Sequence, residues 1–394
     1  MKNGKLKRII ISSLLFLLFF PSTFSQEWKL KDKISLSGYL SDMGSLIYQK
    51  STNTKTWDNL IHNRINLDIY ATNSLTLSMQ FRTRLMTGGS INSSPELYAE
   101  FIDKDNGKLD LSFNILENQK SVLNTTIDRL YIDYVIDNFQ LTLGKQRINW
   151  GKTFAWNPND IFNAYSFFDF DYVEKPGSDA LRAQFYTGMA SAVEFAIKIN
   201  PDNKLTTALM YRFNQFNYDF QVLGGIVNEQ DYILGGAWSG DIKSISFRGE
   251  FSYLKPKMNF ADTSGILISS LSLGYIFPNN LSVQLEGLYN QNAKNIKINS
   301  FQDFYGMDMS VKTLSFTEYS IFGQFSYPIT PLINTSLSCM YYPEIDGFFL
   351  GPTLAYSLSD NMDFSIVSQI FRGEMTPDLI ETYVLGFIRL KWSY

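Results

Sequence analysis

Residues 65–82 read INLDIYATNSLTLSMQFR, which is two alternating segments separated by a tight turn. In both segments every second residue is apolar; these residues are Ile65, Leu67, Ile69, Leu75, Leu77, Met79 and Phe81. Successive side chains of a strand point to opposite faces, so each segment gains one apolar and one polar face. Asn73-Ser74 provides turn-forming residues between them. The stretch therefore predicts an antiparallel β-hairpin with two unlike faces.

The same period of two continues along most of the chain and predicts an all-β protein of about 18 strands (16–18). The predicted strands are 34–48, 60–72, 75–86, 125–137, 139–148, 179–187, 191–199, 205–214, 217–227, 231–239, 243–254, 266–276, 281–292, 314–327, 332–342, 348–358, 361–372 and 380–394. Most are longer than the five or six residues usual in globular proteins. A tilted strand that crosses a membrane needs this extra length.

The lengths of the connections indicate how these strands are arranged. Every long linker follows an odd-numbered predicted strand; the linkers are 49–59, 87–124, 149–178, 255–265 and 293–313. The tight turns follow even-numbered strands; they are Asn73-Ser74, Asp137-Asn138, Pro278-Asn279-Asn280 and Asp360-Asn361. A soluble sandwich has no reason to obey this rule, whereas membrane barrels place short turns on the periplasmic side and long loops outside. The pattern predicts a transmembrane antiparallel β-barrel.

The two ends of the chain fit export to the cell outer membrane. Residues 1–25 combine a basic start, an apolar run from Ile9 to Phe20 and small residues at Thr23 and Ser25, which is the pattern of a cleaved signal peptide. The apolar run is too short to span a bilayer, for which about 20 residues are needed. Residues 26–394 would then form the barrel. The last strand alternates up to a terminal Tyr394, which resembles the signal read by the barrel-assembly machinery.

Composition argues against several other classes of function. Removing four basic signal residues from 34 leaves 30 basic residues against 38 acidic ones, a net charge of −8, which disfavours nucleic acid as a partner. The chain has one cysteine, Cys339, and one histidine, His62, so we expect no disulfide, no histidine-based metal site and no cofactor. A lone histidine at a strand start is expected to be a surface or interfacial residue. A catalytic serine needs a base with an orienting partner, and His62 is the only imidazole, so the chain is not predicted to be an enzyme.

The linker 149–178 is unusually aromatic for a loop, and we predict that it folds into the barrel as a constriction loop. We expect its aromatic residues to pack on the wall and its charges to face the passage. Exposed to water, its aromatic residues would form a large apolar patch. The candidate residues of this loop are Trp150, Trp156, Phe167, Phe168, Phe170, Asp169, Asp171 and Glu174. Asn157-Pro158-Asn159-Asp160 indicates a turn followed by a short helix over 161–165. The alternative is a plug that fills space and stiffens the wall.

The polar faces of the predicted strands carry more basic than acidic residues, which favours a lumen for anions. The candidate pore-lining residues are Arg64, Arg82, Arg84, Arg129, Arg182, Arg212 and Arg248. The alternative is that these residues pair with acidic neighbours on adjacent strands and cancel.

One short motif resembles a known group of proteins. Residues 144–151 read GKQRINWG and are followed by Asn157-Pro158, which resembles a stretch of porin-like outer-membrane families, the alginate-export-type barrels and related uncharacterised Bacteroidetes-type porins. The resemblance implies passage of solutes across the outer membrane. The leading hypothesis is a channel in outer-membrane lipid for small polar or anionic solutes. A gated export conduit for a polysaccharide or secretion partner, and a plugged surface scaffold, remain alternatives, and the oligomeric state stays open.

Overall fold

The computed structural model describes residues 33–169, 171–296, 309–376 and 379–394 and consists almost entirely of strands. The strands are β1 (Ile34–Gln49), β2 (Thr54–Tyr70), β3 (Leu75–Gly88), β4 (Ser112–Glu117), β5 (Ser121–Ile136), β6 (Phe139–Gln146), β7 (Ser178–Gly188), β8 (Ser191–Ile199), β9 (Leu205–Gln215), β10 (Tyr218–Val227), β11 (Asp231–Ile242), β12 (Ile245–Pro256), β13 (Ile266–Ile276), β14 (Ser282–Asn290), β15 (Tyr319–Thr330), β16 (Ile333–Tyr342), β17 (Gly347–Ser359), β18 (Met362–Thr376) and β19 (Leu379–Ser393). Two α-helices, α1 (Gly89–Ser93) and α2 (Pro95–Asp103), separate β3 from β4. Short 3-10 helices span Gln291–Asn295, Val311–Thr313 and Pro343–Ile345.

The strands form one closed antiparallel sheet. Apart from β4, the strands pair in chain order, with β3 next to β5, and β1 closes the ring by pairing with both β2 and β19. The short strand β4 pairs with the first half of β5 alone, where β6 does not reach. Of the 19 strands in the sheet, the other 18 make the ring. The prediction of an antiparallel barrel of about 18 strands is confirmed.

Apolar side chains face outward and polar side chains face inward, the reverse of a soluble protein. On β13, Leu271 and Leu273 are 47% and 41% exposed, while Ser270 and Ser272 are buried. A membrane barrel needs this arrangement because its outer surface meets lipid and its lumen is polar. Within the described ranges, no helix is long and apolar enough to cross a membrane.

The connections divide the barrel into two ends. Ile34 and Tyr394 lie at the end where the strands are joined by turns of two to five residues, which we name the terminal end. All longer connections lie at the opposite end, which we name the loop end; they include 147–177 and 257–265. The predicted separation of long and short connections is confirmed.

Two of the predicted linkers were wrong in detail. The segment 49–59 is mostly strand, because β1 continues to Gln49 and β2 begins at Thr54, with Asn53 at a left-handed φ of 53° in the turn. The segment 87–124 contains α1, α2 and β4. Its helices pack on inward-facing wall residues; the cluster consists of Met86, Ile91, Ala99 and Val122, with Leu60, Tyr98 and Ile102 beside it.

A β-bulge in β5 changes which residues face the lumen. Gln80 pairs with Arg129 and Phe81 pairs with Ile127, so Asp128 is an extra residue without a partner on β3. An extra residue of this kind shifts the alternation of its strand by one position. As a result the consecutive residues Asp128 and Arg129 are both buried, at 4% and 5% exposure.

Candidate functional site

The connection between β6 and β7, residues 147–177, lies inside the barrel, and we name it the inner segment. Its first anchor is Trp150, which is 2% exposed and donates its indole N–H to Glu194 Oε1 at 2.5 Å. Glu194 projects from β8 and also accepts two hydrogen bonds from Arg182. The main-chain oxygen of Trp150 accepts from Gln221 of β10 at 2.6 Å. These contacts attach the start of the segment to the inner wall.

Two further wall glutamates bind the main chain of the next turn. Glu286 on β14 accepts the N–H groups of Phe154, Ala155 and Trp156 at 2.7, 3.1 and 2.9 Å. Glu250 on β12 accepts both the N–H and the hydroxyl of Thr153. A charged acceptor makes such bonds stronger than neutral pairs. A buried carboxylate without these donors would be costly, so wall and segment satisfy each other.

The turn predicted at residues 157–160 is present, but no helix follows it over 161–165. Asn159 does not cap a helix; it donates to the carbonyl of Gly236 at 3.0 Å and accepts from Ser252 Oγ. Asp160 is fully buried and lies 3.5 Å from Arg147. Burial raises the pKa of Asp160 to about 6, although Arg147 acts in the opposite direction.

Aromatic packing continues the attachment around the wall. Phe167 lies against Phe322 of β15, with ring centroids 4.9 Å apart, and Phe168 lies against Phe349 of β17 at 4.8 Å. The main-chain oxygen of Phe168 accepts from Gln369 on β18 at 3.1 Å. Phe170, the third phenylalanine among the candidate residues of this loop, lies outside the described residues.

Asp171 meets three wall residues on the opposite side of the barrel. One of its oxygens lies 3.5 Å from His62 Nδ1 and 3.9 Å from Arg82, and the other lies 3.6 Å from Arg389. Burial opposes ionisation of Asp171, but the adjacent His62 and the nearby arginines outweigh it and lower the pKa of its carboxyl group. The expectation of a surface position for His62 was wrong, because its side chain is 0% exposed. The shifted start of β2 explains this, since His62 lies mid-strand.

Arg64 and Arg129 hold the last part of the inner segment. Arg64 is 0% exposed, binds Asp128 at 2.5 Å and lies 3.5 Å from Glu174. Arg129 donates to the main-chain oxygens of Glu174 and Lys175 at 2.8 and 2.7 Å. Both arginines were predicted to line a pore, yet both are buried against the segment. Asp128 provides the counter-charge for Arg64, although a strict alternation of residues along β5 does not place Asp128 in the lumen.

Together these contacts reach strands on every side of the barrel, from β8 through β14 and β17 to β19, β2 and β5. The aromatic residues of the segment pack on the wall, as expected. Asp171, which lies near three wall residues that can carry positive charge, also faces the wall, whereas Asp169 is exposed. We expected the charges to face the passage, which is wrong for Asp171.

The other candidate arginines have varied partners. Arg182 pairs with Glu194, and Arg84 donates to the Asn124 side chain and the main-chain oxygen of Ile102. Arg212 lies 5.9 Å from the ring centroid of Tyr186. Arg248 is exposed toward the terminal end, and its Nε donates to Ser246 Oγ at 3.3 Å. These four are therefore spread along the wall and do not form one cluster.

The three wall glutamates are the anchors that the sequence reasoning missed. Glu194, Glu250 and Glu286 all stand on the polar faces of strands, so their inward direction could be predicted. A carboxylate buried in a wall needs donors, and this requirement was the available signal that an internal segment would supply them. Among the residues that the structure describes, no group of three or more potential ligands could hold a metal ion.

A cavity of about 590 Å³ lies at the loop end, beside the inner segment, and we name it the vestibule. Its wall includes Arg82 and Arg84 of β3, the end of α2 at Phe101, and residues 164–169 of the inner segment. Cavities of 300–1,000 Å³ are typical of sites for small molecules.

Comparisons with known proteins support the fold. No protein-family model matches the chain, and no curated protein sequence matches it. The crystal structure of Acinetobacter baumannii OccAB1 is similar over 95% of this chain and 100% of that chain, with a TM-score of 0.56 and 9% identity. Pseudomonas aeruginosa OccD3 (OpdP) is similar over 91% of both chains, with a TM-score of 0.53 and 8% identity.

These neighbours are outer-membrane porins of the Occ/OprD group. At such low identity the likeness concerns the fold, and membership of the alginate-export-type or Bacteroidetes-type families stays a prediction. The protein is a multi-pass outer-membrane β-barrel with the 18-strand fold of these porins.

Proposed function

We propose that this barrel is an outer-membrane channel for small polar or anionic solutes, and that the inner segment forms its narrowest part. The observation that carries the proposal is the attachment of residues 153–156 to Glu250 and Glu286. The segment is fixed by its main chain to the wall and does not hang from the barrel mouth. A segment held in this way narrows a lumen while leaving the wall strands paired.

The distribution of charge supports a preference for anions. Each of the three wall glutamates already has partners. Glu194 binds Arg182, and Glu250 and Glu286 accept hydrogen bonds from the inner segment. Within the described part of the chain, Arg84, Arg212 and Arg248 have no carboxylate within 4.0 Å. Their positive charge is therefore left for the lumen, where cationic side chains along the wall favour anions.

Glu286→Gln tests the role of the segment with little change in size. The amide nitrogen of glutamine would face either the N–H of Phe154 or the N–H groups of Ala155 and Trp156, so the hydrogen bonds to one of the two oxygen positions would be lost. In planar bilayers the purified variant should show a higher or noisier single-channel conductance than the wild type. Asp133→Asn is the matched control, because Asp133 is an inward carboxylate that binds only Gln140 and Thr142 of the wall.

The other outcomes separate the alternatives. Unchanged conductance in the Glu286→Gln variant would show that the attached segment does not set the conductance. Conductance that appears only after deletion of 153–176 would favour a gated export conduit. A barrel that stays closed to ions even after this deletion would contradict the channel and favour the plugged scaffold.

A further inference from the structure

We infer that the vestibule is a binding site for organic anions that carry an apolar body, with the charge on Arg84 and the body against α2. This inference rests on the proposed channel function and names the class of solute that the channel selects. It follows from three features of the cavity: an apolar helix face, the cation Arg84, which has no carboxylate within 4.0 Å among the described residues, and the direct contact between them.

The apolar side of the site is the free face of α2. Tyr98 and Ile102 pack with Ala99 on the wall cluster, as residues four apart on one helix face do. Leu97 and Phe101 are also four apart and turn away from this cluster, with 69% and 62% exposure. Phe101 lines the vestibule. An apolar surface left exposed in a cavity typically marks a binding surface.

The charged side of the site is formed by two arginines on the same face of β3. Arg82 has a counter-charge in Asp171 at 3.9 Å, and its guanidinium stacks 3.8 Å from the ring centroid of Tyr172. Arg84 donates only to neutral acceptors, as described above. The Nε atoms of both arginines are buried without a hydrogen-bond partner in the described residues. Buried donors of this kind call for an acceptor, and an anion satisfies both the donor and the charge.

The two sides of the site touch each other. Arg84 donates to the main-chain oxygen of Ile102 at 3.4 Å, and Ile102 directly follows Phe101 on α2. A ligand that places its anionic group at the guanidinium therefore has its remaining atoms beside the apolar face of the helix. A small inorganic anion would use only the arginine, and an apolar cation would be repelled by it. This juxtaposition selects molecules that combine one negative charge with an apolar body.

The test compares hexanesulfonate with methanesulfonate, which keep the same charge at every working pH and differ in apolar length. Binding to the purified full-length barrel is measured by isothermal titration calorimetry, which does not depend on conductance, and by reduction of single-channel current. Burying about two methylene groups corresponds to about tenfold in affinity. We therefore expect hexanesulfonate to bind about tenfold more tightly than methanesulfonate, and hexyltrimethylammonium to bind much more weakly.

Variants assign the two sides of the site. Arg84→Gln should weaken binding of both sulfonates by about tenfold, as expected for loss of one charged hydrogen-bonding partner. Phe101→Ser should remove most of the preference for hexanesulfonate and leave methanesulfonate unchanged. Lys120→Gln, which removes an exposed cation at the same end but outside the cavity lining, should behave as the wild type. Folding of each variant is checked by heat-dependent mobility in detergent gels.

The outcomes distinguish this inference from the proposed function. A barrel that conducts potassium chloride but binds the two sulfonates equally overturns the inference and leaves the channel standing. Equal binding by the wild type, Arg84→Gln and Phe101→Ser also overturns it, because partition into detergent would explain the signal. A barrel that binds hexanesulfonate through Arg84 but conducts no ions overturns the channel alone.

Discussion

Asp171→Asn should release the far half of the inner segment from the wall. The substitution keeps the shape of the side chain and removes the charge that faces His62, Arg82 and Arg389 at 3.5–3.9 Å. Removing one partner of a buried ion pair costs about 3–5 kcal/mol, and a fully exposed pair is worth at most about 1 kcal/mol. Asp171 is 12% exposed, so we expect a loss of roughly 2 kcal/mol in the attachment of the segment.

A loss of this size changes the ratio of detached to attached segment about 30-fold, because 1.4 kcal/mol corresponds to tenfold. Single-channel recordings should therefore show more frequent or longer high-conductance events in Asp171→Asn than in the wild type. Asp169→Asn is the matched control, since Asp169 is exposed on the same segment and has no wall cation within 4.0 Å among the described residues. If both variants record like the wild type, Asp171 does not hold the segment and the reasoning is refuted.

Three further predictions concern pH, sidedness and export. Because burial raises the pKa of Asp160 to about 6, the wild type should lose about 2 kcal/mol of stability as pH rises from 4 to 6. Asp160→Asn lacks this titration, so its thermal unfolding temperature should rise relative to the wild type over that interval, and parallel pH profiles would contradict the prediction. An epitope inserted at Asn259, exposed at the loop end, should be reached by antibody on intact cells, and labelling only after the membrane is opened would reverse the sidedness. Mass spectrometry of the outer-membrane form should find a chain that starts near Gln26, whereas an intact Met1 would exclude signal-peptide cleavage.

The barrel could be predicted because the alternation of apolar and polar residues reflects the two environments that each strand faces. Lipid outside and a polar lumen inside impose a period of two on each strand, and β13 displays it with Ser270 and Ser272 buried between exposed leucines. The bulge at Asp128 could not be read in this way, because an inserted residue looks like ordinary sequence until its pairing partners are known. β4 was not predicted for a related reason, since its six residues are too few to show a clear alternation.

The sequence predicted that the inner segment packs inside the barrel, but not which wall residues it contacts. The aromatic content of the inner segment indicated that it packs inside, since exposing such residues to water is costly. Its partners come from strands far apart in the chain, as Asp171 with His62 and Phe168 with Phe349 illustrate. A one-dimensional pattern cannot specify which strands a loop crosses. It also led to the wrong expectation for His62, because the start of β2 was placed six residues too late.

The anchor at Glu286 has a consequence for how such a barrel can diversify. Glu286 accepts hydrogen bonds from three successive main-chain N–H groups, and every residue type except proline has such a group. Holding the segment in place is thereby uncoupled from the identity of side chains such as Phe154, which is 38% exposed. Selection, or an engineer, can exchange that side chain for a polar, charged or smaller one and so re-line the passage. The anchor at Glu286 would need no compensating change, although the ring contact of Phe154 with Phe322 would be lost, and proline is the one replacement that the anchor forbids.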